Sequence, residues 1–271
     1  MGVKFEYYQS NIVLDNINDF KLFFLQRKNS LSFFIIEQSS KQIVSFNNLA
    51  LDASLTDTIE QYLEEDQVLG RFSSIESLGV HVNAISLIPN RLFNANTLST
   101  YFKDVFEVDH MHINYTDLSD QQTKLVYAYS KSTINALEPY FKIGHIQPAF
   151  LGPINSLLLQ KETSSFLIQM DAGLFYLSYI DQGEIKFLNQ FSFDSSADLL
   201  YYVLKVASLL KLDTNQLNIK LTGAVEAESE VYKTLDRFVH SLSFLEEEGT
   251  TNIPFSVSEK RYFSDIFAFL K

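Results

Sequence analysis

The sequence predicts an α/β protein made of two similar lobes, and three observations lead to this prediction. Apolar side chains alternate along many short segments, which is typical of strands. Apolar residues recur at helical spacing in fewer segments, of which the stripe from Leu199 to Leu210 is the longest. The order of these segments repeats once: in each half, three strands are followed by a helix, a strand, a helix and a strand.

The first half begins with three strands, predicted at residues 20–26, 31–36 and 42–46. Leu31, Phe33 and Ile35 alternate with Phe34 and Ile36, so we expect the middle strand to be buried on both faces. The remaining elements are a helix capped by Ser54 and Asp57, a strand at 80–87, a helix at 96–106, strands at 111–115 and 124–129, and a helix capped by Ser132 that ends near Pro139.

The second half opens with a connecting helix at residues 150–161 and a meander of three strands at 166–170, 174–180 and 184–191. Both turns of the meander contain aspartate and glycine, as tight turns require. Ser195 and Asp198 predict a capping box for the long helix that follows. After it we expect a strand at 217–221, a helix at 229–238, a strand at 242–245 and an amphipathic helix at 258–270.

Two α/β lobes of the ribonuclease H type are the simplest arrangement of this repeated order. We place the first lobe at residues 1–146 and the second at 147–271. In one possible arrangement, the helix at 258–270 packs back on the first lobe. This is the layout of the actin-like ATPases. It predicts mixed sheets and a cleft between the lobes, near residues 37–41, 171–174 and 222–225.

Composition and charge exclude several classes of function. The formal charge of −12 and the lack of a basic patch argue against nucleic-acid binding. The chain has no cysteine, which excludes disulfides and cysteine-ligated metals, and its glycines are too widely spaced for a Gly-rich phosphate loop. No signal peptide or membrane span is evident, so we expect a soluble, cytoplasmic protein.

Two adjacent motifs resemble a signature of an uncharacterised bacterial family of unknown function with an actin-like ATPase fold. They are Asn189-Gln190-Phe191-Ser192-Phe193 and the run from Ser196 to Leu204. Shorter similarities lie at residues 88–93, at His145 and at 221–223, and the resemblance covers nearly the whole chain. In element order alone, the chain is also distantly similar to PilM and FtsA. The resemblance implies a fold and no established reaction, ligand or partner.

An actin-like nucleotide site needs two hairpin turns around the phosphates and a glycine pair near the adenosine. Asp171 and Gly173 match the second turn, where the aspartate would hold the water shell of Mg²⁺. At the first turn Glu37 supplies an acid but no glycine follows it, and Gly223 is one glycine of the expected pair. A hairpin turn alone also explains Asp171 and Gly173. These four residues are therefore predicted as a vestigial cleft without a bound cofactor, the alternative being ATP with magnesium.

Other candidate sites are weaker. His110 and His112 lie on one face of a strand and could hold a metal with His145, although such short segments are more often polar surface. We therefore predict no metal site. Serines lie in no nucleophile elbow, so we predict no catalytic residue either.

The function expected from the sequence is that of a non-catalytic actin-like binding or scaffold protein. We expect an unidentified protein partner with basic residues, held in a groove or along a strand edge by tyrosine or phenylalanine side chains. The alternative is an ATP-binding switch or weak ATPase of the actin-like superfamily.

Overall fold

The computed structural model describes residues 5–8, 16–51, 55–65, 68–103, 105–160, 164–245, 256 and 261–263. The strands are β1 (Phe5–Tyr8), β2 (Phe20–Gln26), β3 (Ser30–Glu37), β4 (Ile43–Ala50), β5 (Ser74–Val80), β6 (Ala84–Pro89), β7 (Met111–Asp117), β8 (Thr123–Ser130), β9 (Lys142–Pro148), β10 (Ser165–Asp171), β11 (Leu174–Asp181), β12 (Glu184–Ser192), β13 (Asn218–Gly223) and β14 (Ser241–Phe244). The α-helices are α1 (Leu55–Glu65), α2 (Lys131–Leu137), α3 (Leu151–Leu159), α4 (Ser196–Leu209) and α5 (Glu230–Asp236).

Two sheets carry the fold, and they share one five-strand topology, to which the first sheet adds β1 at the edge beside β4. The first has the strand order β1-β4-β3-β2-β5-β9, and the second has the order β12-β11-β10-β13-β14. In each, three strands form an antiparallel meander, and two further strands join parallel to the first strand of that meander. The predicted α/β class is confirmed; the order of three strands, helix, strand, helix and strand does recur, but in the first half β5, α2 and β9 complete it, and the predicted strand at 80–87 and helix at 96–106 do not. The division at residue 146 stays a prediction, and β9 runs past it to Pro148.

A third, three-stranded sheet is inserted into the first half, between β5 and α2. Its order is β6-β8-β7, and β6 lies against β12 of the second half. The predicted single strand at 80–87 is wrong, because the chain leaves the first sheet after Val80 and starts β6 at Ala84. The polar residues His81 and Asn83 lie at this break.

Helix ends follow the local capping chemistry. The predicted capping box of α4 is present, since the Ser195 hydroxyl accepts from the Asp198 N–H and the Asp198 carboxylate accepts from the Ser195 N–H. For α2 the cap is Ser130 and not the predicted Ser132. Ser54, the predicted cap of α1, lies outside the described residues.

The predicted helix at 96–106 is wrong. A 3-10 helix covers Ala95–Tyr101, and Thr97 within it has non-helical backbone angles. The hydroxyls of Thr97 and Thr100 bond to backbone carbonyls three residues earlier, and such bonds compete with regular helix formation.

The largest apolar core extends across both halves of the chain. It includes Leu22 and Phe24 from β2 together with Leu174 and Tyr176 from β11. A second core lies between α4 and the second sheet. Of the predicted helix at 258–270, only residues 261–263 are described. Phe263 is fully buried against Phe46 of β4, with the ring centres 4.8 Å apart.

Across the described ranges, no helix is both long enough and apolar enough to span a membrane.

Candidate functional site

The candidate site lies where the carboxyl ends of the parallel strands from both sheets meet. Gln26 ends β2, and His81 follows β5. From the second sheet, Asp171 ends β10 and Gly223 ends β13. These residues line one common cavity. Ligands bind at the carboxyl ends of strands in open α/β sheets, which makes this cleft the first place to look for a function.

Asp171 joins the two halves at the cleft. One carboxylate oxygen accepts from the N–H of Ala172, 2.7 Å away in its own turn. The other accepts from the N–H of Lys28 at 3.2 Å, in the turn between β2 and β3. The side chain is therefore engaged by backbone donors of both turns, in a way that needs no bound ion.

The two predicted glycines are required by the backbone. Gly173 has a φ of +67° and Gly223 one of +83°, a region that favours glycine. At Gly223 a side chain would also place its Cβ 2.2 Å from the carbonyl oxygen of Met170, a contact that real atoms do not make. The turn geometry thus accounts for both glycines.

The structure does not bring Glu37 to the other three predicted residues. Glu37 ends β3 and pairs with Phe20, at the opposite end of the hairpin from Arg27 and Lys28. Its carboxylate accepts from the Ser40 hydroxyl at 2.6 Å, within the β3–β4 turn. The predicted cleft near 37–41 is therefore misplaced, whereas its parts near 171–174 and 222–225 do meet.

Sequence reasoning missed Arg27 and Lys28, which occupy the turn that faces Asp171. The repeated strand order of the two halves could have identified this turn. Because Asp171–Gly173 is the first turn of the second meander, its counterpart is the first turn of the first meander, at residues 27–29. The sequence-based prediction instead places the site at the second turn, which begins at Glu37.

Arg27 is buried inside the cleft, with 6% of its surface exposed. Its guanidinium donates to the Ser32 hydroxyl at 3.1 Å. It also lies over the rings of Tyr262 and Phe263, at 5.3 and 5.5 Å from their centres. Cation–π contacts of this kind hold a desolvated guanidinium in place. The C-terminal residues therefore occupy one wall of the cleft.

The opposite wall is aromatic and contains a buried histidine. The rings of Phe150 and Tyr176 are stacked 4.3 Å apart. The Tyr176 hydroxyl lies 3.4 Å from Nδ1 of His81. Burial lowers the pKa of His81, and the Asp171 carboxylate only partly offsets this effect. His81 is consequently held in its neutral form.

Little space remains between these walls. The cavity has a volume of about 10 Å³, which is room for one water molecule. Sites for ligands of nucleotide size measure several hundred Å³. Gln169 lines the cavity, and its buried Oε1 has no hydrogen-bond partner in the protein. A single water molecule bound in the cavity would supply that partner.

The histidines considered as metal ligands do not assemble. Among the residues with a described position, no group of three or more histidine, cysteine or acidic side chains could hold a metal ion. The ring of His112 instead stacks on Tyr129 at 5.4 Å.

Comparison with known proteins agrees with this topology. Residues 9–242 match a family described as "Protein of unknown function (DUF3822)". No curated protein matches the chain in sequence.

Three solved structures are similar over nearly the whole chain. A protein from Bacteroides thetaiotaomicron with an actin-like ATPase fold and unknown function has a TM-score of 0.79 and 14% identity, covering 96% of this chain and 99% of that one. A chain of a PilM–PilN type IV pilus biogenesis complex has a TM-score of 0.61 and 10% identity, covering 92% and 96%. The ethanolamine utilization protein EutJ from Carboxydothermus hydrogenoformans has a TM-score of 0.50 and 7% identity, covering 93% and 89%.

The predicted actin-like ATPase fold is therefore confirmed, and so is the resemblance to a family of unknown function with that fold. At these identities the likeness concerns the fold alone.

Proposed function

Since the chain belongs to the DUF3822 family of proteins of unknown function, we propose from its own cleft that it is a protein-binding module that performs no catalysis. The fold does not decide this, because one fold serves many functions. The proposal includes a cytoplasmic location in a bacterial cell, which the absence of cysteine permits.

The observation that carries the proposal is that the chain's own side chains fill the cleft. Arg27 and Tyr262 occupy the space between the two turns, and a cavity of about 10 Å³ remains. A nucleotide would have to displace the buried guanidinium and the tyrosine together. Breaking their cation–π contact and exposing their surface would reduce the affinity for any nucleotide.

A protein partner is supported by two further facts. One structural relative is described as a complex of two proteins, PilM and PilN. The formal charge of −12 favours a partner segment with basic residues, and such association weakens as salt increases.

The second candidate function is an ATP-dependent switch. Arg27 lines the cleft together with Asp171, and the exposed Lys28 follows Arg27 in the same turn, so a cation in the cleft and another at its edge lie near one potential magnesium-binding carboxylate. This function requires the cleft to open around Tyr262 before ATP can enter.

Thermal unfolding with millimolar ATP and Mg²⁺ tests the proposal. We expect the melting temperature to change by less than about 1 °C, whereas a ligand at one hundred times its Kd stabilises a protein by about 2.7 kcal/mol, or several degrees. Magnesium alone is the control. If ATP stabilises the chain and the substitution Asp171→Ala removes the effect, the result contradicts the binding module and supports the ATP-dependent switch.

A further inference from the structure

The strand β7 forms an open edge of the inserted three-stranded sheet. It pairs with β8 on one side, and no described strand pairs with its other side. The Leu118 N–H donates to the Thr123 carbonyl, which fixes the alternation of hydrogen-bonded residues along the pair. By this alternation, the backbone groups of Ile113 and Tyr115 point away from β8, towards the open side.

A side chain occupies part of this edge in place of a strand. The Tyr115 N–H donates to Oδ1 of the neighbouring Asn114 at 2.8 Å. This local contact satisfies a donor that β8 cannot reach, and an incoming strand would replace it. The outward N–H and C=O of Ile113 remain for the same strand to pair with.

Apolar side chains surround the edge. Leu92 is 64% exposed and Tyr115 is 38% exposed; the Tyr115 ring lies against that of Phe93, the residue that follows Leu92 in the chain. Val105 and Phe106, in the segment leading into β7, are also exposed. Exposed apolar side chains near an unpaired strand edge are typical of an interaction surface.

The segment that leads into and includes β7 is acidic, while Lys124 of β8 and the exposed Arg91 next to Leu92 add positive charge beside it. Between residues 105 and 123 the chain carries Glu107, Asp109, Asp117 and Asp120 and neither lysine nor arginine. Asp117 is paired with Lys124, whose ammonium lies over the rings of Phe93 and Tyr115. Glu107 and Asp109 remain exposed at the start of the strand.

We propose that the outer edge of β7 docks an extended segment of a partner protein in which basic and apolar side chains alternate. The segment adds a fourth strand, its apolar side chains contact Leu92 and Tyr115, and its basic side chains lie near Glu107 and Asp109. This inference rests on the proposed function, of which it names the surface and the partner's chemistry.

The test uses a fluorescent peptide of alternating valine and lysine, as long as β7, and the full chain. We expect saturable binding that weakens between about 0.05 M and about 0.5 M salt, and no binding of the corresponding valine–glutamate peptide. On binding, the outward amide hydrogens of Ile113 and Tyr115 should exchange more slowly. Protection elsewhere, or no binding of the lysine peptide, overturns the inference and leaves the ATP experiment unaffected.

Two pairs of variants locate the contact. Ile113→Pro removes an outward N–H and is tolerated on an edge strand, so we expect about a fivefold loss of affinity, whereas Ile113→Val retains the N–H and the affinity. If the proline variant does not fold, hydrogen exchange of the wild-type chain with and without the peptide shows whether β7 is the contact.

The second pair tests the charges. Glu107→Gln with Asp109→Asn should reduce affinity about threefold more than Glu226→Gln with Asp236→Asn, which changes the net charge equally at exposed residues before and at the end of α5. Equal losses in the two double variants overturn the inference. So does a dimer of this chain that protects β7 in the absence of peptide.

Discussion

At Gly223 a single missing side chain decides whether two strands can lie together. The residue ends β13 with a φ of +83°, directly beside the backbone of Met170 in β10. Sequence reasoning connected this glycine with a nucleotide, which is one reason for a backbone to lack a side chain. The contact with Met170 supplies another reason, internal to the fold.

We predict that Gly223→Ala lowers the free energy of unfolding by about 2 to 4 kcal/mol, because the new Cβ meets a backbone atom and the φ is strained. Urea unfolding measures the loss. Gly70→Ala is the matched control, since no atom lies within 4 Å of its added Cβ and its φ is ordinary. A Gly223→Ala protein as stable as the control would show that β13 can move away from β10.

Individual residues can be predicted to form a turn where they carry the turn's own chemistry, but not where only the topology distinguishes two turns. Asp171 and Gly173 could be found because aspartate and glycine mark a tight turn. Arg27 and Lys28 have no such mark, and their role in the cleft arises from the second meander, which lies against them. Nothing local separates them from exposed basic residues.

At the scale of elements, α4 shows how far local signals reach. Its start is fixed by the reciprocal bonds of Ser195 and Asp198. These bonds lower the pKa of the Asp198 carboxyl, because the Ser195 hydroxyl and the backbone N–H groups of residues 194 and 195 favour its charged form. The sequence predicted this cap because every participant lies within four residues.

We predict that Ser195→Ala destabilises the protein by about 1 kcal/mol, the usual cost of removing a hydroxyl cap. Ser208→Ala, at an exposed position of the same helix, should be neutral or slightly stabilising because alanine is the better helix former. Chemical denaturation of both variants gives the difference. Equal stabilities would mean that the packing of α4 on the second sheet fixes its start without the cap.

Elements that depend on distant partners were harder to predict. The strand β9 went unpredicted because exposed and polar residues interrupt its apolar pattern, and it forms by pairing with β5. At Gly144 the chain passes so close to Glu76 that an added Cβ would lie 2.5 Å from its carbonyl oxygen. Such a strand is specified by its neighbour more than by its own sequence.

At the scale of the whole molecule, the residues at 261–263 connect the two sheets. The Arg261 guanidinium lies 3.6 Å from the ring centre of Phe244 in β14. Two residues later, Phe263 is buried against Phe46 of the first sheet. The helix at 258–270 that packs back on the first lobe stays a prediction, and residues 261–263 are the described part of that segment.

We predict that Phe263→Ala costs about 3 to 5 kcal/mol of stability, as expected for a fully buried phenylalanine. Phe238→Ala removes a phenylalanine that is 56% exposed and should cost less than about 1 kcal/mol. Guanidinium unfolding followed by circular dichroism compares the two. A loss of stability as small for Phe263→Ala as for Phe238→Ala would show that the first sheet is stable without the Phe263 side chain.

The position of Phe263 has a consequence for biosynthesis. The ribosome releases β2, β3 and β4 early, whereas Phe263, which covers Phe46 and lies beside Arg27, emerges only after almost all the remaining elements. During that interval an apolar patch of the first sheet has no cover, and nascent chains with such patches are what chaperones bind. Translation that stops before residue 263 therefore yields a chain with most of its strands and an exposed apolar surface.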